Sequence, residues 1–294
     1  MSNKATPILE RPQFAASPAM LEQVTDAELA RYAKLVYERT GIRIPPQKKT
    51  LLSNRLRRRL RATGITGFSA YYDRLKQLPP RDPEWDAFLQ EITTHETYLF
   101  RDEGQWKWFR EQYVPALLSD VRGGQREASL RIWSAACSTG DEAYTAACCI
   151  AAALTNHARW NVWILGSDIG VGAVQQAGLA TFGERAMRLV PDSYKRRFFS
   201  KATHADVWQA KPLLSNMTTF RQHNLMDPPR ERPFDLVFLK NVLIYFDRDS
   251  KRKVLENIRA TMRSGSLLVA GPADGVSEFV KDYKRHQAWL YECP

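Results

Sequence analysis

The chain has 294 residues, enough for one large domain or two with a substantial buried core. Hydrophobic residues make up 44% and charged residues 26%, a globular balance that excludes wholesale disorder. The formal net charge of +11 predicts an acidic partner: nucleic acid, an anionic membrane or an acidic protein surface.

The sequence has few features that would indicate secretion, membrane insertion or metal binding by cysteines. The sequence does not open on a basic-then-apolar signal peptide, and its longest apolar run, 143–154, is shorter than the ~18 residues of a membrane span. We therefore expect a cytoplasmic protein without membrane insertion. Its 4 cysteines lack C-x-x-C spacing, so no metal site is expected.

The N-terminal part of the chain is predicted to be helical. Residues 1–20, rich in Ala, Ser and Pro, predict a flexible arm, and residues 21–115 predict a helical domain. The first helix should begin after Thr25, because Glu28 gives the spacing of a capping box, and end at Gly41. Further helical patterns follow before residue 93.

Residues 116–294 have a different texture. Apolar runs rich in branched residues alternate with helical patterns, which predicts an α/β domain built of βαβ units around a mostly parallel sheet. A polar segment at about 190–220 interrupts the alternation and predicts a small inserted subdomain.

The exits of the first two strands predict a ligand site. Ala136, Ser138 and Gly140 are small residues that let a ligand approach the backbone, and the acid Glu142 follows, which disfavours a pyrophosphate. Asp168 ends the second strand at the spacing of a ribose-binding acid, although an N-cap role for the next helix is an equal alternative. S-adenosylmethionine fits these features, because it has free ribose hydroxyls and two cationic groups but no phosphate.

Several segments resemble, in chain order, the CheR-type chemotaxis receptor methyltransferases, which use S-adenosylmethionine to esterify receptor glutamates. The resemblance spans about residues 25–280, and its segments are TTHETYLFRD, WSAACSTGDEAY, GSDI and FDLVFLKNVLIYFD with the helix that follows. It implies a Rossmann-like class I methyltransferase domain with a mostly parallel sheet, preceded by a small all-helical domain and carrying a small inserted β-subdomain.

The resemblance also implies a set of site residues. Arg101 and Tyr245 would be catalytic, with Tyr245 facing the methyl group. The cofactor, S-adenosylmethionine, leaving as S-adenosylhomocysteine, would be bound by His95, Thr97, Arg101, Glu142, Asp168, Asn224, Leu225, Asn241 and Val242. Within this set Glu142 would hold the amino-acid end, Asp168 the ribose, and Asn224 and Leu225 the adenine.

The chemistry of that reaction suits these residues. A glutamate carboxylate, with a pKa near ~4.3, is already an anionic nucleophile at neutral pH, so methyl transfer needs alignment but no general base. The planar guanidinium of Arg101 is suited to hold a carboxylate. The strand end NVLIYF lacks the D/N-P-P-Y/F motif of amine methyltransferases, which disfavours a nucleic-acid base as substrate.

A basic segment predicts the partner. Between Gly41 and Arg81 there are 11 Lys or Arg residues and one acid, Asp73, and this excess would steer an acidic protein. The expected partner is the acidic, helical cytoplasmic domain of chemoreceptors, approached by a monomer, and no nucleic acid is expected because no stacking platform accompanies the charge. The predicted partner-binding residues are Arg55, Arg58 and Arg59.

Some positions depart from the family pattern. His95 replaces a usual asparagine, Ala136 a common glycine and Ala143 a proline, and the turn at Ser264 and Ser266 and the GPADGV segment with Pro272 and Asp274 also differ. The glycine-free loop 200–208 predicts weak or absent docking of a receptor C-terminal peptide. These departures leave open a cofactor-binding regulatory module without catalysis, or a methyltransferase for another acidic protein or a nucleic acid.

Overall fold

The structure, a computed structural model, describes residues 23–202 and 206–294. The predicted arm at residues 1–20 lies outside the described residues, as does part of the 200–208 loop, residues 203–205. The α-helices are α1 (Asp26–Thr40), α2 (Lys49–Thr63), α3 (Phe68–Gln77), α4 (Pro83–Ile92), α5 (Glu103–Trp108), α6 (Val114–Arg122), α7 (Asp141–Ala153), α8 (Val171–Leu179), α9 (Glu184–Met187), α10 (Asp192–Phe198), α11 (Pro212–Ser215) and α12 (Arg248–Arg259). The strands are β1 (Ser129–Ala135), β2 (Asn161–Asp168), β3 (Thr181–Gly183), β4 (Phe199–Lys201), β5 (Val207–Ala210), β6 (Thr218–Gln222), β7 (Phe234–Leu239), β8 (Met262–Ala270), β9 (Lys284–Gln287) and β10 (Leu290–Glu292). In the described part of the chain, no helix is both long and apolar enough to span a bilayer.

Helices α1 to α4 pack around a core of their own. The predicted capping box is present: the Thr25 side chain accepts from Glu28 N, and the Glu28 carboxylate accepts from Thr25 N. Helix α1 ends at Gly41, whose φ of 71° is left-handed and suits glycine. Tyr32 and Phe88 are fully buried at the centre of this core, so the helical domain is stabilised by its own apolar packing.

The larger domain is built on a seven-stranded sheet in the order β6-β2-β1-β7-β8-β10-β9. Strands β6, β2, β1, β7 and β8 pair in parallel, while β10 is antiparallel to β8 and β9. The chain order reverses at β1, which lies between β2 and β7. In open sheets of this kind, ligands bind outside the carboxyl ends of the strands at such a reversal.

Side chains on both faces of this sheet are buried. Successive residues along a strand point to opposite faces, so they enter two different cores. Ile132 and Phe238 pack with α5, α6 and α7, whereas Trp133 and Val237 pack with α12. The first core also contains seven buried residues from Leu99 to Leu117. Packing therefore divides the chain between α4 and Leu99, whereas the change in composition predicted a boundary at 115.

The predicted inserted subdomain is present as a three-stranded antiparallel sheet in the order β3-β5-β4. It begins at Thr181, earlier than predicted, because β3 follows α8 directly. It is also shorter at its far end, since β6 pairs with β2 in the main sheet. Leu99 N donates to Ala186 O at 3.1 Å and the Arg188 guanidinium stacks on Tyr98, so the insertion contacts the 93–102 segment.

Candidate active site

A cavity of about 410 Å³ lies where the carboxyl ends of β1, β2 and β7 meet the helical domain. The helical domain closes it through residues 42–55, which are tied to the sheet domain by a bond of 2.9 Å from Arg43 N to Tyr245 O and a bridge between Ile42 and Phe246. The cavity brings together all the predicted cofactor-binding and catalytic residues: His95, Thr97, Arg101, Glu142, Asp168, Asn224, Leu225, Asn241, Val242 and Tyr245.

The loop after β1 forms one wall of the cavity with an unusual backbone. Ala136, Ser138 and Gly140 have left-handed φ angles of 62°, 51° and 87°. A side chain at Gly140 would also crowd the Ala177 methyl, 2.8 Å from its Cβ, so this position requires glycine. Non-glycine residues pay for such conformations in strain, and they concentrate at functional sites.

Asp168 connects this loop to the next helix. Its Oδ2 accepts from Ser138 N at 2.8 Å, and its Oδ1 accepts from Gly170 N, the N-cap residue of α8, at 2.9 Å. Asp168 therefore supports the start of α8 from two residues before its N-cap and also lines the cavity, and its ribose-binding role stays a prediction. A carboxylate has about four acceptor positions, so two remain for a ligand.

A buried cluster of charge lies at the carboxyl end of β7. Lys240 Nζ is 3.2 Å from Asp102 Oδ2 and 3.4 Å from Glu142 Oε2, and its side chain is 3% exposed. Glu142 also accepts a bond of 2.8 Å from Ser134 Oγ. Burial raises the pKa of the Glu142 carboxyl, while Lys240 and the Ser134 bond act to lower it. Two carboxylates thus face one ammonium.

Neither Lys240 nor Asp102 was identified from the sequence as a site residue. Both lie inside the quoted motifs, and a lysine directly after the apolar strand FDLVFL was the available signal. Asp102 Oδ2 is buried and accepts no hydrogen bond from any described residue, because its contact with Lys240 lacks hydrogen-bond geometry. Asp102 is not among the residues that line the cavity, so this buried acceptor acts on the cavity through Lys240.

Arg101 lies on the cavity wall contributed by the 93–102 segment. Its Nη1 donates to Glu96 O at 3.2 Å, and its guanidinium carbon lies 5.8 Å from the centre of the Tyr98 ring. These contacts use one of the five guanidinium N–H groups, so several donors remain. Tyr245 lines the same cavity from the turn after β7.

The turn that carries Asn241 and Val242 is held from beneath by Asp274. Asn241 has a left-handed φ of 58°, and its N–H donates to Asp274 Oδ2 at 2.7 Å. Gly271 N donates to the same oxygen at 2.9 Å, and Asp274 is fully buried. Burial raises the pKa of Asp274, and the bonds from Asn241 and Gly271 lower it. The altered GPADGV segment thus retains an acid with a defined structural task.

Asn224 lies in a turn and also bonds to the helical domain. Asp227 N donates to Asn224 O at 2.9 Å, and the Asn224 side-chain amide donates to Arg39 O at 2.8 Å. Asn224 thereby connects the two domains while lining the cavity beside the buried Leu225. The adenine-flanking role of this pair stays a prediction.

The three α2 arginines that were predicted to bind the partner form bonds within this chain. Arg59 forms a salt bridge of 2.6 Å with Glu84 and is 16% exposed, while Arg58 Nε contacts Glu91 at 2.5 Å. Arg55 donates to Ile92 O and Thr94 Oγ1 and lines the cavity. Arg58 and Arg59 thus pair with acids of α4, a helix that follows the basic segment in sequence. Arg59 therefore supports the helical domain and does not fit the predicted partner contact.

Fold and cavity together define a class of protein: an α/β protein with a ligand cavity at the carboxyl ends of its parallel strands, behind an all-helical domain. The family model described as "CheR methyltransferase, SAM binding domain" matches residues 95–290, and "CheR methyltransferase, all-alpha domain" matches residues 27–93. The chain belongs to the CheR methyltransferase family.

Named relatives agree with this assignment over most of their length. A "Chemotaxis protein methyltransferase" of Salmonella typhimurium is 30% identical over 91% of this chain and 90% of its own. A "Chemotaxis protein methyltransferase 2" of Pseudomonas aeruginosa is 32% identical over 85% of this chain and 87% of its own. A solved magnesium protoporphyrin IX methyltransferase from Synechocystis with bound S-adenosylmethionine matches 62% of this chain and 76% of its own, with 14% identity and a TM-score of 0.32, too low for any argument about function.

The residues present fit that cofactor. The cluster of Asp102, Glu142 and Lys240 has one carboxylate in excess, and Glu142 lines the cavity, which suits the ammonium of an amino acid. Asp168 retains acceptor capacity for the hydroxyls of a ribose.

Proposed function

We propose that the protein transfers the methyl group of S-adenosylmethionine to glutamate side chains on the cytoplasmic helical domain of chemoreceptors, forming glutamyl methyl esters in chemosensory adaptation. The observation that carries this proposal is the juxtaposition, around one cavity, of an anionic cluster deep in the wall and the guanidinium of Arg101. The anionic cluster attracts the cationic amino-acid end of the cofactor, and the guanidinium attracts an anionic group that accepts the methyl.

The bound cofactor supplies an electrophilic methyl group on a sulfonium. Arg101 keeps donors free to orient a carboxylate, while Glu96 O and the Tyr98 ring hold the guanidinium in place. Tyr245 lines the same cavity and is available for a hydrogen bond to that carboxylate or for ring contact with the sulfonium. A glutamate is already ionised at neutral pH, so the site has to align it and need not deprotonate it.

The mouth of the cavity suits an acidic helix. Exposed Leu51 and Ile244 line it together with the exposed cations Arg43 and Lys48. An acidic helical partner would pack apolar side chains on Leu51 and Ile244, and its carboxylates would be attracted by the two cations. The pairing of Arg58 and Arg59 with acids of α4 leaves fewer cations of α2 for this purpose than their number in the sequence indicates.

The test is methyl incorporation into receptor-containing membranes, measured with tritiated S-adenosylmethionine. We expect labelled protein that releases methanol in alkali, because esters hydrolyse there and N-methyl products do not. Arg101→Ala provides the matched inactive control. Cofactor binding without transfer would favour a regulatory module instead, and an alkali-stable label would indicate a different substrate class.

A further inference from the structure

His95 and Asp168 face each other across the cavity wall, His95 from the segment after α4 and Asp168 from the end of β2. His95 Nδ1 lies 3.4 Å from Asp168 Oδ1, which is longer than a hydrogen bond between such groups and lacks its geometry. The two side chains are 15% and 7% exposed, and both residues line the cavity.

The other ring nitrogen of His95 determines where the proton of the neutral ring resides. His95 Nε2 lies 2.7 Å from Thr93 Oγ1, and that hydroxyl donates its one proton to Leu89 O at 2.6 Å. Thr93 Oγ1 can therefore only accept from His95, so Nε2 carries the proton. In the neutral ring, Nδ1 is then a bare acceptor directed at a carboxylate oxygen.

Two acceptors that face each other without a donor between them are mutually repulsive. Asp168 is held in place by Ser138 N and Gly170 N, and the His95 ring is held by Thr93 Oγ1, so neither side chain is free to turn away. A ligand that brings two hydroxyl donors removes this repulsion. A proton on Nδ1 removes it as well, because imidazolium donates to Asp168.

We propose that protonation of His95 weakens cofactor binding, because Nδ1 of the neutral ring is an acceptor beside Asp168 Oδ1, where the cofactor ribose is expected. This inference rests on the proposed function, since it assigns a role within the same S-adenosylmethionine site. An asparagine at this position would offer an acceptor that does not titrate.

The charges around His95 favour the neutral ring. Burial lowers the pKa of His95, Asp168 acts to raise it, Arg55 on α2 lowers it, and the backbone carbonyl of Gln90 on α4 raises it, with a net shift below the usual value. The acceptor pair is therefore intact at neutral pH. Protonation in acid would convert it into an ion pair that no longer accepts from a ribose.

The sign of the pH effect follows by linkage. A ligand that requires the neutral ring loses about tenfold in affinity for each pH unit below the pKa of the free protein's His95. Binding in that range also releases a proton, which calorimetry detects as a dependence of the heat on the ionisation enthalpy of the buffer.

The experiment is calorimetric titration of S-adenosylhomocysteine into the full chain from pH 5 to pH 8, with His95→Asn and, as a matched control, His223→Asn, since His223 is another histidine that lines the cavity and has a lowered pKa because of burial. We expect the acid-side loss of affinity and the proton release in the wild-type protein and in His223→Asn, and neither in His95→Asn. The same pH profile in the wild-type protein and His95→Asn overturns the inference but leaves the proposed function standing. Absence of binding at every pH contradicts the proposed function itself.

A second measurement does not depend on a variant. Two-bond 15N–1H correlation spectra of 15N-histidine-labelled protein at pH 8 distinguish the two neutral tautomers. We expect His95 to carry its proton on Nε2 in the free protein, and a proton on Nδ1 would overturn the inference.

Discussion

Lys240 Nζ lies 3.4 Å from Glu142 Oε2, and this pair fixes the charge behind the cavity. Both side chains are largely shielded from water, with exposures of 3% and 15%. Buried charges are stabilised chiefly by each other, so removal of one partner leaves the other as an uncompensated buried charge. The pair thus links the end of β7 to the first turn of α7 through electrostatics rather than apolar packing.

Replacing Lys240 with Met should destabilise the protein, because Glu142 and Asp102 would be left facing each other without their shared cation. We expect a loss of about 3–5 kcal/mol in the free energy of unfolding, measured by urea denaturation at pH 8. The loss should be smaller at pH 5. The folded-state pKa of Glu142 is raised by burial and lowered by Lys240, so without Lys240 it rises further, and stability is lost as the pH rises through it.

The matched control is Lys240→Arg, which keeps the cation and should retain most of the stability at both pH values. An equal loss for Lys240→Met at pH 5 and pH 8 would show that the lysine acts through packing on the Trp106 ring, 5.1 Å from Nζ, rather than through charge.

Asp274→Ala should weaken cofactor binding although the site of substitution lies beneath the cavity. The change leaves the N–H groups of Asn241 and Gly271 without their acceptor, which costs about 1–3 kcal/mol of stability and frees the left-handed turn at Asn241. Thermal unfolding and S-adenosylhomocysteine titration measure the two effects.

Asp274→Asn tests the same interaction more gently. The asparagine oxygen can still accept from Asn241 N, so affinity should be restored in part compared with Asp274→Ala. If both variants bind S-adenosylhomocysteine as the wild-type protein does, the turn keeps its shape without Asp274.

Arg101→Ala should reduce kcat far more than it reduces cofactor affinity, because the guanidinium is assigned to the methyl acceptor. Arg101→Lys is the matched variant: it keeps the charge but not the planar fork of donors, so it should recover little of the lost kcat. Single-turnover methylation and S-adenosylhomocysteine titration separate the two quantities. Equal losses in kcat and affinity would identify Arg101 as a cofactor ligand only.

Much of the fold was predictable because local signals and tertiary packing agree. The capping box at Thr25, the glycine stop at Gly41 and the alternation of β-rich and helical runs all correspond to elements of the structure. Two kinds of element were missed. Strand β9, KRHQ, is exposed along its length and has no apolar pattern, and β6 lies in a polar segment that gains its place only by pairing with β2.

The sequence predicted which residues line the cavity better than it predicted the contacts that each of them makes. Motif order was enough to gather the cavity residues, but distances decide what each one does. Arg59 illustrates the limit: its partner Glu84 lies on another helix, so a charge count along α2 cannot detect the pair. Lys240 shows the reverse: its place directly after the apolar strand FDLVFL was a signal, but only the fold shows that its side chain is buried beside two carboxylates.

Ala136→Gly should stabilise the protein, since Ala136 has a left-handed φ of 62° that glycine adopts without a steric penalty. We expect a gain of about 1 kcal/mol in the free energy of unfolding, reduced by the greater entropy of glycine in the unfolded chain. Ala180→Gly is the matched control, because Ala180 has a φ of 56° at the end of α8, away from the cavity lining. A gain for Ala180→Gly with a loss for Ala136→Gly would show that the Ala136 methyl is needed for packing beside β1, and that strain at this loop is offset by that contact.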